Sequence, residues 1–194
     1  MFRMVSRRKF SSLSGAAALG LLTSCGGGGA SIGGEADKLS DADVDDAITV
    51  TSTAFAPGEP IPEQFSCDGE DVSPELTWDG VPDDAASLAL VFDDPDAGGG
   101  TFVHWVVYGL DPSLTGLEEG VLPDGARQAA NDKDFSDYMG PCPPAEDGAH
   151  TYRYTVYALD EAIDADDGAG QADVLGDVRE SAVAKGTLTA TFDH

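Results

Sequence analysis

The chain has 194 residues, 41% of them apolar, and 36 acidic residues against ten Lys and Arg give it a formal net charge of −26. A chain of this length and apolar content can form one sizeable hydrophobic core, which predicts a single domain. The charge excludes nucleic acids and anionic membrane surfaces as partners, because each phosphate would meet several carboxylates for every cation.

The composition also indicates where the acidic residues lie. Eight Phe, five Tyr and two Trp, set in alternating apolar runs, predict a packed core rather than a disordered chain. The carboxylates therefore belong to the surface, and in molar salt, where the Debye length is roughly 3 Å, their repulsion is screened. This predicts a halophilic source; an unusually acidic secreted protein is the alternative.

Residues 1–24 have the features of an export signal. Residues 13–24 are apolar but too short to span a bilayer, and Arg7-Arg8 resembles the twin-arginine signal. Leu22-Thr23-Ser24-Cys25 resembles a lipobox, which would place a diacylglyceryl group on Cys25 and anchor the protein to the outer face of the cell membrane. A soluble export signal cut elsewhere is the alternative.

Two further regions follow the signal. Residues 25–47 are rich in Gly and acids, which predicts a flexible linker without secondary structure. Removal of the signal takes four positive groups away and leaves a net charge of −30 on the rest. Residues 48–194 form the predicted globular domain.

Short alternating apolar runs in this domain predict antiparallel strands. The candidates are residues 48–53, 75–78, 87–92, 102–109, 151–159 and 186–192. One segment, residues 172–185, has helical spacing and places on one face Val174, Leu175, Val178, Ala182 and Val183. The predicted fold class is mainly β, a sandwich or closed sheet with one helix near the C-terminal end.

Two histidines stand at the beginnings of strands, each after a turn rich in Gly or Pro. Strand alternation predicts that one shared face carries Phe102, His104, Val106 and Tyr108, and that another carries His150, Tyr152, Tyr154, Val156 and Ala158. A single histidine in such a row is usually a core residue with one backbone partner. Two of them at strand beginnings favour a site.

Several motifs then follow in order along the chain: Cys67-Asp68-Gly69 with Ser73-Pro74-Glu75-Leu76-Thr77-Trp78, Asp94-Pro95-Asp96-Ala97, His104-Trp105, Gly140-Pro141-Cys142-Pro143-Pro144, His150 with Tyr152, and Val156-Tyr157-Ala158-Leu159-Asp160. Together they resemble the phosphatidylethanolamine-binding protein (PEBP) family, in its prokaryotic Raf-kinase-inhibitor-like (YbhB/YbcL-type) branch. The resemblance extends over about residues 48 to 192.

The resemblance implies a β-sandwich-like fold around a large antiparallel sheet, with a small anion-accepting pocket at one end. The family's pocket residues correspond here to Asp94, Asp96, His104, Gly140, Pro141, His150 and Tyr152. Two positions depart from the family pattern. Gly98 stands where the family usually has Pro, and Thr151 stands where it usually has Arg, so the rim is looser and one cationic contact is missing.

The residue set suggests how such a pocket would work. Two carboxylates repel a phosphate, so anion binding requires a protonated carboxyl or a cationic histidine, together with backbone N–H groups of the turn that point inward. We expect His104 to donate to ligand oxygens and the aspartates to accept from an ammonium or hydroxyl group. A phosphorylethanolamine-like head group meets both requirements, with no cofactor and no metal; the protein partner is not indicated.

Three alternatives remain open at this point. Two histidines and a carboxylate are a common ligand set for Zn or Fe, although no HxxxH-type spacing is present. A metal-assisted or Asp-His hydrolase would use the same groove, but no serine lies in a Gly-x-Ser-x-Gly elbow, and a binding protein is favoured over an enzyme. Alternatively, the pocket is vestigial and the surface acts as a regulatory or inhibitory module.

The cysteines allow two arrangements. With Cys25 lipidated, Cys67 and Cys142 remain as a pair in an oxidising compartment, where a disulfide between the two turns is plausible. Two separate buried thiols are the other arrangement.

Overall fold

A computed structural model of the protein describes residues 34–40 and 43–194. The predicted twin-arginine signal over residues 1–24 and the predicted lipidation site at Cys25 lie outside these residues. Within the described ranges, no helix is both long enough and apolar enough to cross a membrane.

The fold is mainly β, as predicted, and consists of two sheets and two helices. The large sheet has the strand order β1 (Asp45–Asp46), β9 (Ala182–Phe192), β8 (His150–Leu159), β4 (Ser87–Asp94), β5 (Phe102–Leu110), β7 (Arg127–Ala129), and the small sheet has the order β2 (Thr49–Thr51), β3 (Leu76–Asp79), β6 (Gly116–Leu117). Neighbours are antiparallel except β1 and β9, which are parallel. The helices are α1 (Gly34–Ser40) and α2 (Gln171–Ser181), and a 3-10 turn spans Glu63–Phe65.

Strand β4 lies at the centre of the large sheet, between β8 and β5, and all eight of its residues are buried. Its side chains alternate between two cores, as the period of a strand requires. Leu88, Leu90 and Phe92 pack in the core that includes the small sheet, whereas Ala89 and Val91 pack in the core that includes both helices. The large sheet is therefore covered on both faces.

Helix α2 is shorter than the sequence predicted. Val174, Leu175 and Val178 are buried as expected, but the helix ends at Ser181, and residues 182–185 open strand β9. The predicted helical face is therefore wrong at Val183, which is 41% exposed. The alternation of Ala and Val in this segment is compatible with a strand as well as with a helix. The segment forms a strand because it pairs with β8.

Helix α1 corrects the prediction that residues 25–47 lack structure. Its Ala36 and Leu39 are 3% and 1% exposed and belong to the same core as α2. Glu35 bonds Lys38 and Arg179, each at 2.5 Å. Composition indicated a solvated linker, but two apolar side chains three residues apart form one buried face.

A β-bulge in β5 changes the faces of that strand. Phe92 pairs with Trp105 while Asp93 pairs with Val103, so His104 is the extra residue between them. His104 therefore lies beside Phe92 and Tyr152, whereas Val106 and Tyr108 pack in the core that includes the helices. The prediction that Phe102, His104, Val106 and Tyr108 share one face is wrong, because one inserted residue reverses the alternation.

Candidate functional site

Asp94, the last residue of β4, lies at the centre of the candidate site. It is 3% exposed, and its Oδ2 lies 2.7 Å from Nδ1 of His150 at the start of β8. Its Oδ1 accepts a hydrogen bond from the N–H of Asp96 at 2.8 Å. The carboxylate is therefore held in one orientation by the loop that follows it and by the neighbouring strand.

Asp96 forms the exposed rim of the site. Its Oδ2 accepts the N–H of Thr151 at 2.7 Å, and this hydrogen bond is the main cause that lowers the pKa of the Asp96 carboxyl. Asp96 is therefore ionised at neutral pH and fastens the loop to β8. Thr151 stands where the resemblance predicted an arginine, and it contributes its main-chain N–H to this hydrogen bond.

His104 is neutral, contrary to the expected cationic ring. Its Nδ1 lies 2.9 Å from the carbonyl oxygen of Met139, so Nδ1 carries the proton and donates it. Burial lowers the pKa of His104 from 6.5 to about 4, since a charged ring loses its hydration among the rings of Phe92 and Tyr152. At neutral pH its Nε2 is consequently a hydrogen-bond acceptor.

Tyr152 carries a buried hydroxyl group that lies near the Asp94 carboxylate and the main chain of Cys142 but has no partner at full hydrogen-bond geometry within the described part of the chain. Burial, and then the nearby Asp94 carboxylate, raise the pKa of Tyr152, so the hydroxyl stays protonated and able to donate. A buried hydroxyl without a partner costs about 1–3 kcal/mol. The hydroxyl is therefore a donor that could still be satisfied.

The sequence predicted that the turn at Gly140 and Pro141 points N–H groups into the site. In the structure this turn instead bonds the neighbouring segment and supports the site from behind. The N–H of Gly140 donates to Oδ1 of Asp71 at 2.6 Å, and the carbonyl of Pro141 accepts the N–H of Cys67 at 3.1 Å. A Cβ atom on Gly140 would lie 2.2 Å from the carbonyl oxygen of Phe65. Close packing against residues 65–71 therefore requires a glycine here.

The same two turns are joined covalently. Cys67 and Cys142 form a disulfide with their Cα atoms 5.6 Å apart. Of the two arrangements that the sequence allowed, the described structure has the bonded one.

Three positioning residues escaped the sequence analysis. The Met139 carbonyl sets the orientation of the His104 ring. Asn131, 2% exposed, donates from Nδ2 to the main-chain carbonyl of His104 at 3.1 Å, and Asp132 accepts the N–H of Val103 at 2.6 Å. Both side chains bond the main chain at the bulge in place of a regular ladder, and no pattern in the surrounding sequence marks them.

A buried ion pair lies on the opposite face of the sheet. Arg153 donates to both carboxylate oxygens of Asp93, at 2.7 Å and 2.9 Å. Burial raises the pKa of Asp93, although its bond to Arg153 opposes that shift. Because Asp93 and Arg153 alternate with Phe92 and Tyr152, this pair faces the helices, so Arg153 does not replace the cation missing at Thr151.

Among the described residues, the two histidines and the carboxylates considered as metal ligands do not form a group of ligand atoms close enough to hold one ion. Within the described ranges, the group of three ligating atoms that lie within 4.8 Å of one another is Cys67, Cys142 and His194. Instead, Asp94 bonds His150 and the main chain of Asp96, Asp96 bonds the main chain of Thr151, and the His104 ring bonds the carbonyl of Met139.

A polar cluster at one end of a large, mainly antiparallel sheet that is covered on both faces places the chain among the two-sheet β proteins. Solved structures share the fold: a PEBP homologue, CT736 from Chlamydia trachomatis, matches with TM-score 0.71 and 35% identity over 77% of this chain and 99% of its own. Escherichia coli YbcL, described as a member of the mammalian PEBP family, matches with TM-score 0.72 and 31% identity over 76% of this chain and 99% of its own.

The sequence comparisons agree with the structural ones. The phosphatidylethanolamine-binding protein family model matches residues 51–193. A UPF0098 protein of Methanothermobacter thermautotrophicus is 49% identical over 66% of this chain and 87% of its own. A Mycobacterium tuberculosis protein named as a lipoprotein, LppC, is 41% identical over 81% of this chain and 78% of its own. The chain belongs to the phosphatidylethanolamine-binding protein family.

Proposed function

We propose that the protein binds a zwitterionic phosphate head group, of the phosphorylethanolamine type, in the site formed by Asp94, Asp96, His104, His150 and Tyr152. The observation that carries this proposal is the buried Tyr152 hydroxyl without a partner. It is a donor near the Asp94 carboxylate, and the Tyr152 ring packs edge-on against the ring of His104, which carries the acceptor nitrogen. A ligand that offers both an acceptor oxygen and N–H donors would satisfy all three.

The charge of the site limits the form of the ligand. The Asp94 carboxylate lies near the unpartnered hydroxyl, the Asp96 carboxylate lies at the exposed rim, and His104 is neutral. The N–H groups of Asp96, Gly140 and Thr151 are already bonded to carboxylates. A dianionic phosphate is therefore disfavoured. An ammonium group suits the carboxylates, and a singly protonated phosphate brings the proton that the Nε2 of His104 can accept.

The test compares two tyrosines on the same strand. We expect Tyr152→Phe to weaken phosphorylethanolamine binding about ten-fold, the value of one neutral hydrogen bond, with the fold retained. Tyr154→Phe is the matched control: its hydroxyl bonds Tyr138 at 3.1 Å, so its loss lowers stability by about 1 kcal/mol and leaves affinity unchanged. Calorimetric titration in molar salt measures both.

Separate titrations with inorganic phosphate and with ethanolamine divide the head group into its two parts. We expect the zwitterion to bind more tightly than either part, and phosphate to bind more tightly at pH 6 than at pH 8, because the monoanion is the accepted form. Equal affinity of the two tyrosine variants for phosphorylethanolamine would contradict the proposal.

For location, we propose an extracytoplasmic protein exported by the twin-arginine route and anchored through a lipid on Cys25. A relative named as a lipoprotein supports this proposal, as does the order of Arg7-Arg8 and the lipobox in the sequence. Metabolic labelling with a tritiated fatty acid, compared between the wild type and Cys25→Ser, tests it.

One contact favours a second candidate, hydrolysis. Asp94 lies 2.7 Å from Nδ1 of His150, an arrangement in which a carboxylate orients an imidazole toward water. Turnover of a phosphate monoester or a carboxylic ester that disappears in His150→Gln would support this candidate. Binding without turnover supports the binding protein.

A further inference from the structure

The disulfide lies beside an imidazole. The Sγ atoms of Cys67 and Cys142 and a ring nitrogen of His194 all lie within 4.8 Å of one another, and the three residues are exposed. Asp68, the residue after Cys67, accepts a hydrogen bond from Nδ1 of His194 at 2.8 Å. These contacts bring together two turns and the end of β9, on residues that the proposed ligand site does not use.

Reduction would turn this cluster into a set of metal ligands. A dithiol reductant transfers two electrons and two protons to the disulfide, so that the S–S bond breaks, two protein thiols form and the reductant becomes a disulfide. A bound metal ion then replaces both thiol protons, which are released to solvent. Oxidation by a disulfide reverses the sequence and expels the metal.

The donor set and its spacing fit zinc. Two thiolates and an imidazole, with water in the fourth position, form an open tetrahedral site, and Zn–S and Zn–N bonds of about 2.3 Å and 2.0 Å separate the ligand atoms by roughly 3.5–3.8 Å. A ring nitrogen of His194 lies within 4.8 Å of both sulfurs, and the two sulfurs, bonded to each other in the disulfide, would move apart to this spacing once the S–S bond is broken. Nδ1 of His194 bonds Asp68, so a metal bound through Nε2 would complete the carboxylate–histidine–metal arrangement that orients ligand rings.

We propose that the reduced protein binds one zinc ion through Cys67, Cys142 and His194, with Asp68 as the positioning residue, and that oxidation to the disulfide releases it. The same two turns are then held together in either redox state, by the metal or by the covalent bond. On the twin-arginine route that Arg7-Arg8 predicts, the chain folds in the cytoplasm, where thiols stay reduced. The zinc form would be the one that folds there.

Cobalt titration of the full chain tests this site. The protein is reduced, freed of reductant under anaerobic conditions and titrated with Co²⁺ in molar salt, with the oxidised protein alongside. We expect one Co²⁺ per reduced chain with thiolate-to-metal charge-transfer absorption, displaced by Zn²⁺, and no such absorption from the oxidised chain. Surface carboxylates bind cobalt without this absorption, so they do not confuse the result.

The cobalt affinities of three variants distinguish the proposed ligand and its positioning residue from a neighbouring acid. His194→Ala should lose most of the affinity, and Asp68→Asn should lose about ten- to a hundred-fold, as removal of such a partner does elsewhere. Asp193→Asn, a neighbouring exposed acid, is the control and should bind as the wild type does. Wild-type binding by reduced His194→Ala, or no thiolate absorption in a folded reduced chain, would overturn the proposal.

A second measurement decides the case in which reduction unfolds the chain. Urea unfolding of the reduced protein with and without Zn²⁺ should show a higher midpoint, or restored folding, with the metal only when Cys67, Cys142 and His194 are all present. A reduced chain that zinc neither refolds nor stabilises overturns the proposal as well.

Discussion

At the scale of single residues, the polar groups of the site have different partners. Asp94 and Asp96 bond main-chain N–H groups, His104 bonds a carbonyl, and the hydroxyl of Tyr152 has no partner in the described part of the chain. The first three arrangements stabilise the fold and fix the geometry. The unpartnered hydroxyl of Tyr152 lowers stability, and unsatisfied buried groups of this kind are often found at functional sites.

His104 makes folding stability depend on pH. Its pKa of about 4 in the folded protein lies below the 6.5 of an ordinary histidine, so between these values the unfolded chain binds a proton that the folded chain does not. Its contribution is therefore fully present above about pH 6.5 and is lost as the pH falls toward 4. The loss is on the order of 3 kcal/mol.

A comparison with His104→Gln isolates this effect from the titration of the many carboxylates. We expect the difference in unfolding free energy between wild type and variant, measured by urea at pH 7 and pH 4.5, to shift against the wild type by about 2–3 kcal/mol at the lower pH. A difference that does not change with pH would show that His104 is not the buried neutral base described above.

The sequence identified most of the residues of the site but not their electrostatics. The proximity of Asp94, His150 and Tyr152 could be predicted, because strand alternation and the positions of the strand ends can be read from the local sequence. Burial makes the His104 ring neutral, and the carbonyl of Met139, a residue 35 positions away, determines which ring nitrogen carries the proton. Neither effect is visible in a periodic pattern, so the sequence left open whether the histidine is cationic or a carboxyl is protonated.

At the scale of elements, strands were more predictable than helices. The strands β3, β4, β5 and β8 begin and end within one or two residues of their predicted bounds, because their apolar runs are long. The short strands β1, β6 and β7 have two or three residues and no pattern to read. The bulge at His104 could not be foreseen, since bulged and regular strands have the same local sequence and only the register of β4 reveals the difference.

Helix α1 makes a specific prediction about stability. Leu39 is 1% exposed and packs in the core shared with α2, so Leu39→Ala should lower the free energy of unfolding by about 2–3 kcal/mol. Val183→Ala, at a position 41% exposed, is the control and should change it by at most about 0.5 kcal/mol. Urea midpoints measure both, and equal midpoints for the two variants would mean that α1 does not pack on the domain.

At the scale of the whole molecule, charge repulsion opposes folding. The chain has 36 acidic residues and ten Lys and Arg, and two of the ion pairs, from Lys38 and Arg179, fall on one carboxylate, Glu35. Surface pairs of this kind contribute little. The surplus carboxylates are therefore balanced mainly by salt.

We expect the unfolding free energy at pH 7 to rise with KCl and to level off near 1 M, where the Debye length has fallen from about 10 Å to about 3 Å. The same salt series at pH 4 is the control, because protonation of many carboxylates removes the repulsion and should flatten the response. A response equally steep at both pH values would point to a general salting effect instead of carboxylate screening.

The packing of α1 also sets how far the domain could stand from a membrane. If Cys25 carries a lipid, only the eight residues 26–33 lie between the anchor and Gly34, where the packed body begins, and even at full extension this stretch reaches about 30 Å. A tether running to residue 48 would reach about 80 Å. A domain about 40 Å across on the shorter tether would stay within one diameter of the bilayer, and so would search a thin layer crowded with lipid head groups.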